Sequence, residues 1–262
     1  MDTESLRSHF LVTGLFQPGR ISLHVLDLDR AVIGGAMPGV EPLALETIDH
    51  LRSEYFLERR EAGILNIGGP GSITADGNEF QLSNRDVLYV GRGTREVRFA
   101  SADMSNPARF YIVSYPAHAV FATALVKAAD AQQNELGSAD RANRRRIARY
   151  IHREGVKSAQ IVMGVTVLET GSVWNTMPSH THDRRSEIYL YFDLPADAMV
   201  VHLLGQPQEI RSLIVRNGEA ALSPGWSIHS GVGTSNYAFC WVMGGENQDY
   251  ADMDPISVED MR

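Results

Sequence analysis

Two long stretches of this 262-residue chain consist of short strand-like segments that alternate with turns. The first stretch runs from about residue 58 to residue 116, and the second from about residue 159 to residue 243. Segments rich in β-branched and aromatic residues recur at intervals near ten residues, and Asp76-Gly77 is a hairpin-turn dipeptide. This spacing is typical of a β-sandwich or barrel. We therefore predict an all-β fold with two barrels in one chain and a few short helices.

The predicted domain boundaries follow changes in composition. Residues 1–116 are predicted to form an N-terminal barrel, and residues 159–262 a C-terminal barrel that ends in an acidic tail. Residues 117–158 are predicted to be a linker with helical turns, and they include a basic segment at residues 141–150. Before the first barrel, residues 1–20 could form one helical turn or an extended arm.

Charge and cysteine usage exclude several classes of function. The net charge of -8 argues against a nucleic-acid partner, because nucleic-acid binders normally carry a basic face. Cys240 is the single cysteine, so an intramolecular disulfide is excluded and a reducing cytoplasm is expected. The acidic start of the chain has no apolar signal core, and no apolar run reaches the length of a membrane helix.

The sequence around residue 180 carries a group of side chains that commonly bind metals. His180 and His182 share one face of an extended chain, because side chains two residues apart point the same way. Glu187 lies at an odd spacing from both, so a turn at residues 183–186 is needed to bring it to the same point. A fourth candidate, His229, follows the Pro-Gly turn at residues 224–225.

A His-x-His, a glutamate and a later histidine after a Pro-Gly turn form the two-part signature of cupin barrels. Three imidazoles and a carboxylate suit zinc, manganese, iron or nickel in a site with room for a substrate oxygen. The alternative is that these histidines are separate surface residues. The first half of the chain has no His-x-His, and counting from Asn84 and from Asn217 places Glu96 where the second half has His229. The metal is therefore expected only in the second barrel.

Segments spread over nearly the whole chain resemble one family, the bicupin 5-keto-4-deoxyuronate isomerases (4-deoxy-L-threo-5-hexosulose-uronate ketol-isomerases) of pectin breakdown. They are residues 55–61, 66–69, 143–145, 174–178, 180–182, 205–209, 226–234 and 245–248. The resemblance implies one zinc ion per subunit, held by His180, His182, Glu187 and His229. It also implies a cytoplasmic enzyme that forms a homohexamer, with no nucleic-acid or membrane partner.

The reaction implied by the resemblance converts 5-dehydro-4-deoxy-D-glucuronate to 3-deoxy-D-glycero-2,5-hexodiulosonate in uronate catabolism. Such an aldose–ketose isomerase needs a proton carrier, for which Glu246 and Tyr189 are candidates. It also needs a cation for the substrate carboxylate, for which Arg145 and Arg184 are candidates.

Two alternatives remain at this point. The same ligand set could serve an Fe(II) dioxygenase, because cupins use similar ligands for different chemistries. The protein could also be a sugar-binding or regulatory cupin without turnover.

Overall fold

The computed structural model describes residues 1–246 and 248–262. In this part of the chain most regular structure is strand, which confirms the predicted all-β class. The elements are α1 (Thr3–Phe10), β1 (Leu11–Val12), β2 (Arg20–Val25), β3 (Val32–Met37), β4 (Leu43–Ala44), β5 (Arg60–Asn66), β6 (Gly71–Ala75), β7 (Asn78–Leu82), β8 (Val87–Val90), β9 (Val97–Ser101), β10 (Phe110–Pro116), β11 (Ala124–Val126), β12 (Gln132–Leu136), β13 (Arg145–Ile151), β14 (Val162–Leu168), β15 (Trp174–Asn175), β16 (His180–Thr181), β17 (Arg185–Phe192), β18 (Val200–Gln206), β19 (Glu209–Val215), β20 (Glu219–Ser223), β21 (Ile228–Gly233), β22 (Ala238–Gly245) and β23 (Asp254–Pro255), with 3₁₀ turns at Leu28–Arg30, Asp49–Leu51 and Val258–Asp260.

Contacts divide the chain into two compact units, and the N-terminal unit comprises residues 14–131 and 150–162. Its described strands form one sheet in the order β11-β8-β5-β10-β3-β2 and a second in the order β4-β9-β6-β7. Buried apolar side chains from both sheets form one cluster, in which the rings of Phe99 and Phe110 lie 5.3 Å apart. The interior of this unit is therefore an apolar core.

The C-terminal unit comprises residues 1–13, 132–149 and 163–262. Its described strands form a large sheet in the order β1-β20-β17-β22-β14-β13-β12, a sheet in the order β15-β21-β18-β19, and the pair β16-β23. The two larger sheets meet through a buried hydrogen bond of 2.8 Å between the Tyr191 hydroxyl on β17 and Nδ1 of His202 on β18. Polar groups thus reach the interior of this unit.

The start of the chain packs with the C-terminal unit, whereas the predicted boundaries placed it in the N-terminal barrel. Helix α1 begins after Asp2, whose side chain accepts a hydrogen bond from the Ser5 backbone N–H at 2.8 Å and so caps the helix. Strand β1 then pairs with β20, with Leu11 opposite Ala221. The N-terminal residues therefore add an edge strand to the large sheet. None of the described helices has the length and apolarity needed to span a membrane.

The stretch predicted to be a linker with helical turns instead contains β11, β12 and β13. β12 lies at the edge of the large sheet, where β13 is its partner among the described strands, and all five of its residues are exposed. Because neither face of β12 packs into a core, its sequence lacks an apolar alternation. Residues 150–162 return to the N-terminal unit, where the buried carboxylate of Glu61 accepts hydrogen bonds from the backbone N–H groups of Ala159, Gln160 and Ile161 at 2.6–3.0 Å.

Candidate metal centre

Four side chains of the C-terminal unit converge on one point: three lie in the strands β16, β17 and β21, and one lies in the turn after β16. His180, His182, Glu187 and His229 each offer a ligand atom, and these atoms all lie within 4.8 Å of one another. Oε2 of Glu187 lies 3.0 Å from Nε2 of His182 and 2.8 Å from Nε2 of His229. Nε2 of His229 lies 3.0 Å from Nε2 of His180. The candidate ligands from the sequence are therefore neighbours in space.

The local sequence explains how the chain reaches this arrangement. β16 ends at Thr181 and β17 begins at Arg185, so the turn lies at residues 182–184, slightly earlier than predicted, and Glu187 faces the interior. Gly225 holds the turn in place, because its backbone oxygen accepts a hydrogen bond from the His182 N–H at 3.0 Å. A Cβ at this glycine would lie 2.5 Å from the backbone oxygen of His182. The close approach of the two loops therefore requires glycine.

The second ring nitrogen of His182 determines which nitrogen faces the cluster. Nδ1 of His182 lies 2.7 Å from the carbonyl oxygen of Asp252, and because a carbonyl oxygen only accepts, Nδ1 carries the proton. Nε of Arg185 is 3.3 Å from the same nitrogen, but the shorter contact with an obligate acceptor decides the tautomer. With Nδ1 protonated, Nε2 is the ring nitrogen that faces the Glu187 carboxylate, 3.0 Å from its Oε2. Metal-bound histidines are commonly held in this way, with the second ring nitrogen donating to a carbonyl group.

The electrostatics of the cluster also suit a cation. Burial, together with the neighbouring His229, lowers the pKa of His180 to about 3, so this ring is neutral at neutral pH. Burial raises the pKa of the Glu187 carboxyl, but the opposing effect of His229 and His182 is larger and holds this pKa well below its usual range. Neutral imidazole and ionised carboxylate are the forms that bind metals.

The donor atoms around a bound metal ion have a characteristic spacing. Four donors at zinc bond lengths of about 2.0–2.1 Å lie roughly 3.3 Å apart in a tetrahedron. Three donor contacts here are 2.8–3.0 Å and would have to lengthen, whereas the most widely spaced donors, up to 4.8 Å apart, would have to move closer. The cluster could therefore hold a divalent metal ion of the kind that accepts nitrogen and oxygen ligands.

A cavity of about 250 Å³ opens beside the cluster. Its polar lining includes Arg145, Thr176 and Tyr189, and its apolar lining includes Phe239 and Trp241. The Tyr189 hydroxyl lies 2.9 Å from Oγ1 of Thr176, and its ring centre lies 5.4 Å from that of His229. Burial and the nearby Glu187 raise the pKa of Tyr189 well above 10, so this hydroxyl stays protonated. A small polar molecule in the cavity would contact both the cluster and these side chains.

The C-terminal tail forms part of this site, which sequence reasoning missed. Tyr250 and Met253 line the cavity. Arg185 donates hydrogen bonds to the backbone oxygens of residues 249, 250 and 252 at 2.6–3.2 Å. β23 pairs with β16, with Pro255 opposite His180. The sequence indicated only an acidic tail at an edge, and no local pattern signalled pairing between segments so far apart.

The structure separates the predicted catalytic and substrate-binding residues into two groups. Tyr189 and Arg145 lie in the cavity lining. Arg184 and Glu246 pair with each other through Nη2 and Oε1 at 2.7 Å, with side chains 58% and 67% exposed, and neither belongs to that lining. The roles of all four remain predictions.

The cluster and the two-sheet units define a class of protein, a cupin-like protein with a candidate metal centre. Solved structures support this fold assignment. An IolB-like protein from Salmonella typhimurium has a TM-score of 0.78 at 13% identity, covering 94% of this chain and 96% of that chain. Oxalate decarboxylase from Lactobacillus farciminis has a TM-score of 0.60 at 11% identity, covering 94% and 89%.

The family follows from the sequence comparisons. The chain belongs to the KduI/IolB family, whose model matches residues 13–258. A protein from Halalkalibacterium halodurans is 53% identical over 99% of this chain and 94% of its own length, and one from Caldicellulosiruptor bescii is 50% identical over 100% and 95%. Both are named 4-deoxy-L-threo-5-hexosulose-uronate ketol-isomerase.

Proposed function

We propose that this protein is a ketol-isomerase that converts 5-dehydro-4-deoxy-D-glucuronate to 3-deoxy-D-glycero-2,5-hexodiulosonate. The observation that carries the proposal is the four-donor cluster beside a cavity with Arg145 and Tyr189 in its lining. It lies in a chain that is 50–53% identical, over nearly its whole length, to proteins named for this activity. These relatives make an isomerase of uronate catabolism the natural assignment.

The reaction moves hydrogen from the hydroxyl-bearing carbon C2 to the aldehyde carbon C1. Its physical obstacle is the negative charge that develops on oxygen when the C2 proton leaves. When bound, a divalent metal supplies Lewis-acid stabilisation of that charge. We propose zinc, held by His180, His182, Glu187 and His229, because the donors are three imidazoles and one carboxylate.

Tyr189 is the residue that we propose as the proton carrier. Its hydroxyl is buried, lies in the cavity lining and stays protonated at neutral pH. A protonated hydroxyl in this place can pass its proton to the carbonyl oxygen on C1 and take up the C2 proton in exchange. The reverse exchange, in which the hydroxyl protonates C1 and takes the proton from the C2 oxygen, completes the isomerisation and restores the tyrosine. The exposed ion pair of Glu246 with Arg184 offers no comparable support for Glu246.

Arg145 is the residue that we propose for the substrate carboxylate. Its Nη1 donates a hydrogen bond to the backbone oxygen of Asn143 at 2.9 Å, which orients the guanidinium in the cavity lining. Burial lowers the pKa of Arg145, and the neighbouring Tyr189 and Tyr250 oppose that shift. A partly buried guanidinium that still has free donors suits a carboxylate. Arg184 lacks this support because it is exposed and paired with Glu246.

Two further expectations belong to this proposal. We propose a cytoplasmic enzyme, which the single, buried Cys240 supports because the chain needs no oxidising compartment. We also propose a homohexamer, which rests on the family resemblance alone.

The test is metal analysis of the purified protein, paired with an isomerase assay before and after chelation. We expect bound zinc, loss of turnover on chelation, and recovery when zinc is restored. His229→Gln should lose both metal and turnover. The matched control is His202→Gln, which replaces a buried histidine on β18 outside the cluster and should keep the metal. Full turnover by the metal-free protein would refute the proposal, and oxygen consumption would indicate an iron oxygenase instead.

A further inference from the structure

A second pocket, of about 280 Å³, lies in the N-terminal unit. Its charged lining residues are Arg30, Arg59 and Arg60, opposed by Asp27. His50 also belongs to the lining. The whole chain has a net charge of -8, so a pocket with three guanidinium groups and one carboxylate is a local concentration of positive charge. The pocket shares no lining residue with the cavity beside the metal cluster, and its residues have no part in the proposed reaction.

Arg60 is the buried member of this group, with 7% of its surface exposed. Its Nε donates to the hydroxyl of Ser114 at 3.1 Å. Its Nη2 donates to the backbone oxygens of Ser114 and Arg30 at 2.7 and 2.8 Å. These acceptors fix the guanidinium in place, but all of them are neutral. The positive charge of Arg60 is therefore held by dipoles alone.

The chain contains its own comparison for this arginine. Arg185 occupies the same place at the start of β17 as Arg60 does at the start of β5. Both are buried, and burial lowers the pKa of each. For Arg185, the carboxylates of Glu187, Asp252 and Asp249 oppose that shift. For Arg60, burial and the positive charge of Arg30 lower the pKa to about 10, and Tyr115 rather than a carboxylate opposes that shift.

A buried cation without a counter-charge is unfavourable, and buried charges in proteins are normally paired. Among the described residues, no ion pair involves Arg30 or Arg60. Arg59 at the rim has a partner, because its Nη2 lies 3.5 Å from Oε2 of Glu58. Arg30 is exposed to solvent, so the buried Arg60 is the cation that lacks a counter-charge, and an anion from solution can supply it.

We propose that this pocket binds a small oxyanion, the carboxylate of an organic acid or inorganic phosphate, between Arg30 and Arg60. The buried guanidinium of Arg60 is already oriented by its three hydrogen bonds, so little conformational entropy is lost when an anion binds. Phe56 and Leu51 in the same lining can contact the carbon part of an organic acid. The volume of the pocket lies at the small end of ligand sites.

The test is equilibrium dialysis of the metal-loaded protein against radiolabelled phosphate and, separately, radiolabelled succinate at low ionic strength. Arg30→Gln removes the charge of Arg30 but keeps the backbone oxygen that holds Arg60. Arg60→Met removes the buried charge itself. The matched control is Arg95→Gln, in the same unit but outside this pocket, where Arg95 stacks on Tyr55.

We expect the wild type and Arg95→Gln to bind one more anion per chain than Arg60→Met. Arg30→Gln should bind it roughly tenfold more weakly or worse, as expected for a lost charge-assisted hydrogen bond. Isomerase activity should be unchanged in Arg30→Gln, which checks that the variant is folded. Binding of only one probe identifies the oxyanion and supports the site. The proposal is overturned if Arg30→Gln binds each probe as tightly as the wild type does. It is also overturned if the wild type binds neither probe.

Discussion

Tyr189 and Tyr191 allow the proposed proton carrier to be tested against a neighbour on the same face of β17. Both are buried, and each hydroxyl makes one short hydrogen bond, Tyr189 to Oγ1 of Thr176 at 2.9 Å and Tyr191 to Nδ1 of His202 at 2.8 Å. Tyr189 lies in the lining of the cavity beside the cluster, and Tyr191 does not. Replacing each by phenylalanine removes one oxygen and keeps the ring.

The two replacements should affect stability and turnover in opposite order. Tyr189→Phe removes a hydrogen bond to the half-buried Thr176, which costs about 1 kcal/mol of unfolding free energy. Tyr191→Phe leaves Nδ1 of the fully buried His202 without its partner, which costs about 1–3 kcal/mol. For turnover, Tyr189→Phe should lower kcat by roughly 10²–10⁴-fold, the usual contribution of a positioned proton donor. Tyr191→Phe should leave kcat close to the wild-type value.

The assay combines steady-state isomerase kinetics, metal content and urea unfolding for both variants. The expected pattern is a slow but stable Tyr189→Phe and an active but less stable Tyr191→Phe, each with a full complement of metal. If Tyr189→Phe turns over at the wild-type rate, Tyr189 is not the proton carrier. If both variants lose turnover equally, the loss comes from disturbed packing among the rings of Tyr189, Tyr191 and Phe239. The assignment of Tyr189 as proton carrier then fails.

Three further predictions concern charge. Arg145→Ala should raise KM by roughly 10–100-fold through loss of a charge-assisted hydrogen bond, with metal content unchanged, whereas Arg184→Ala should keep the wild-type KM; an unaltered KM in Arg145→Ala removes this residue from the substrate site. Glu187→Gln should lose most of the bound metal in elemental analysis, because the only carboxylate of the cluster is neutralised, and full metal content would contradict the ligand assignment. Burial lowers the folded-state pKa of His202 to about 3, below its unfolded value, so the folded protein binds fewer protons and this group alone lowers the stability by on the order of 1 kcal/mol per pH unit as the pH falls from 6.5 towards 3. Urea unfolding over this pH range should show a shallower dependence of stability on pH for His202→Gln than for the wild type, and identical dependences would refute this.

The sequence predicted those parts of the molecule in which local pattern and final position agree. Apolar segments and turn dipeptides predicted the all-β class, because the central strands of both units place at least one face in the core. The His-x-His motif and the Pro-Gly turn brought together the four residues that do converge. In both cases the spacing of residues along the chain determines which side chains share a face, so the sequence alone was sufficient.

Other parts depend on pairing between distant segments, which no local pattern records. Strand β12 is exposed along its length, so its sequence resembles a linker although it pairs with β13. The tail residues Tyr250 and Met253 reach the cavity only because β23 pairs with β16. Arg184 and Arg145 are equally plausible in the sequence, but one is exposed in an ion pair and the other lies in the cavity lining. Burial, which distinguishes them, is a property of the folded unit.

The two units also show why a metal centre is expected in only one of them. Strand β5 lies between β8 and β10 as β17 lies between β20 and β22. When β5 and β17 are aligned at their first residues, Ala62 corresponds to Glu187 and Ile64 to Tyr189. Ala62 and Ile64 belong to the apolar core of the N-terminal unit. The interior positions that hold the candidate ligand Glu187 and the proposed proton carrier Tyr189 in one unit therefore hold apolar packing side chains in the other.

The position of His229 has an apolar counterpart as well. Counting along the sequence placed Glu96 there, but this prediction was wrong, because the loop at residues 91–96 is longer than the loop at residues 224–227. Alignment of the β6–β7 and β18–β19 hairpins by strand register places Phe99 at the position of His229. Phe99 is fully buried against Phe110, so the position that corresponds to His229 carries an apolar ring in place of a metal-binding nitrogen. We therefore expect one metal ion per chain in elemental analysis of the wild-type protein. Two metal ions per chain would show that aligning the two units by strand register does not predict where metal binds.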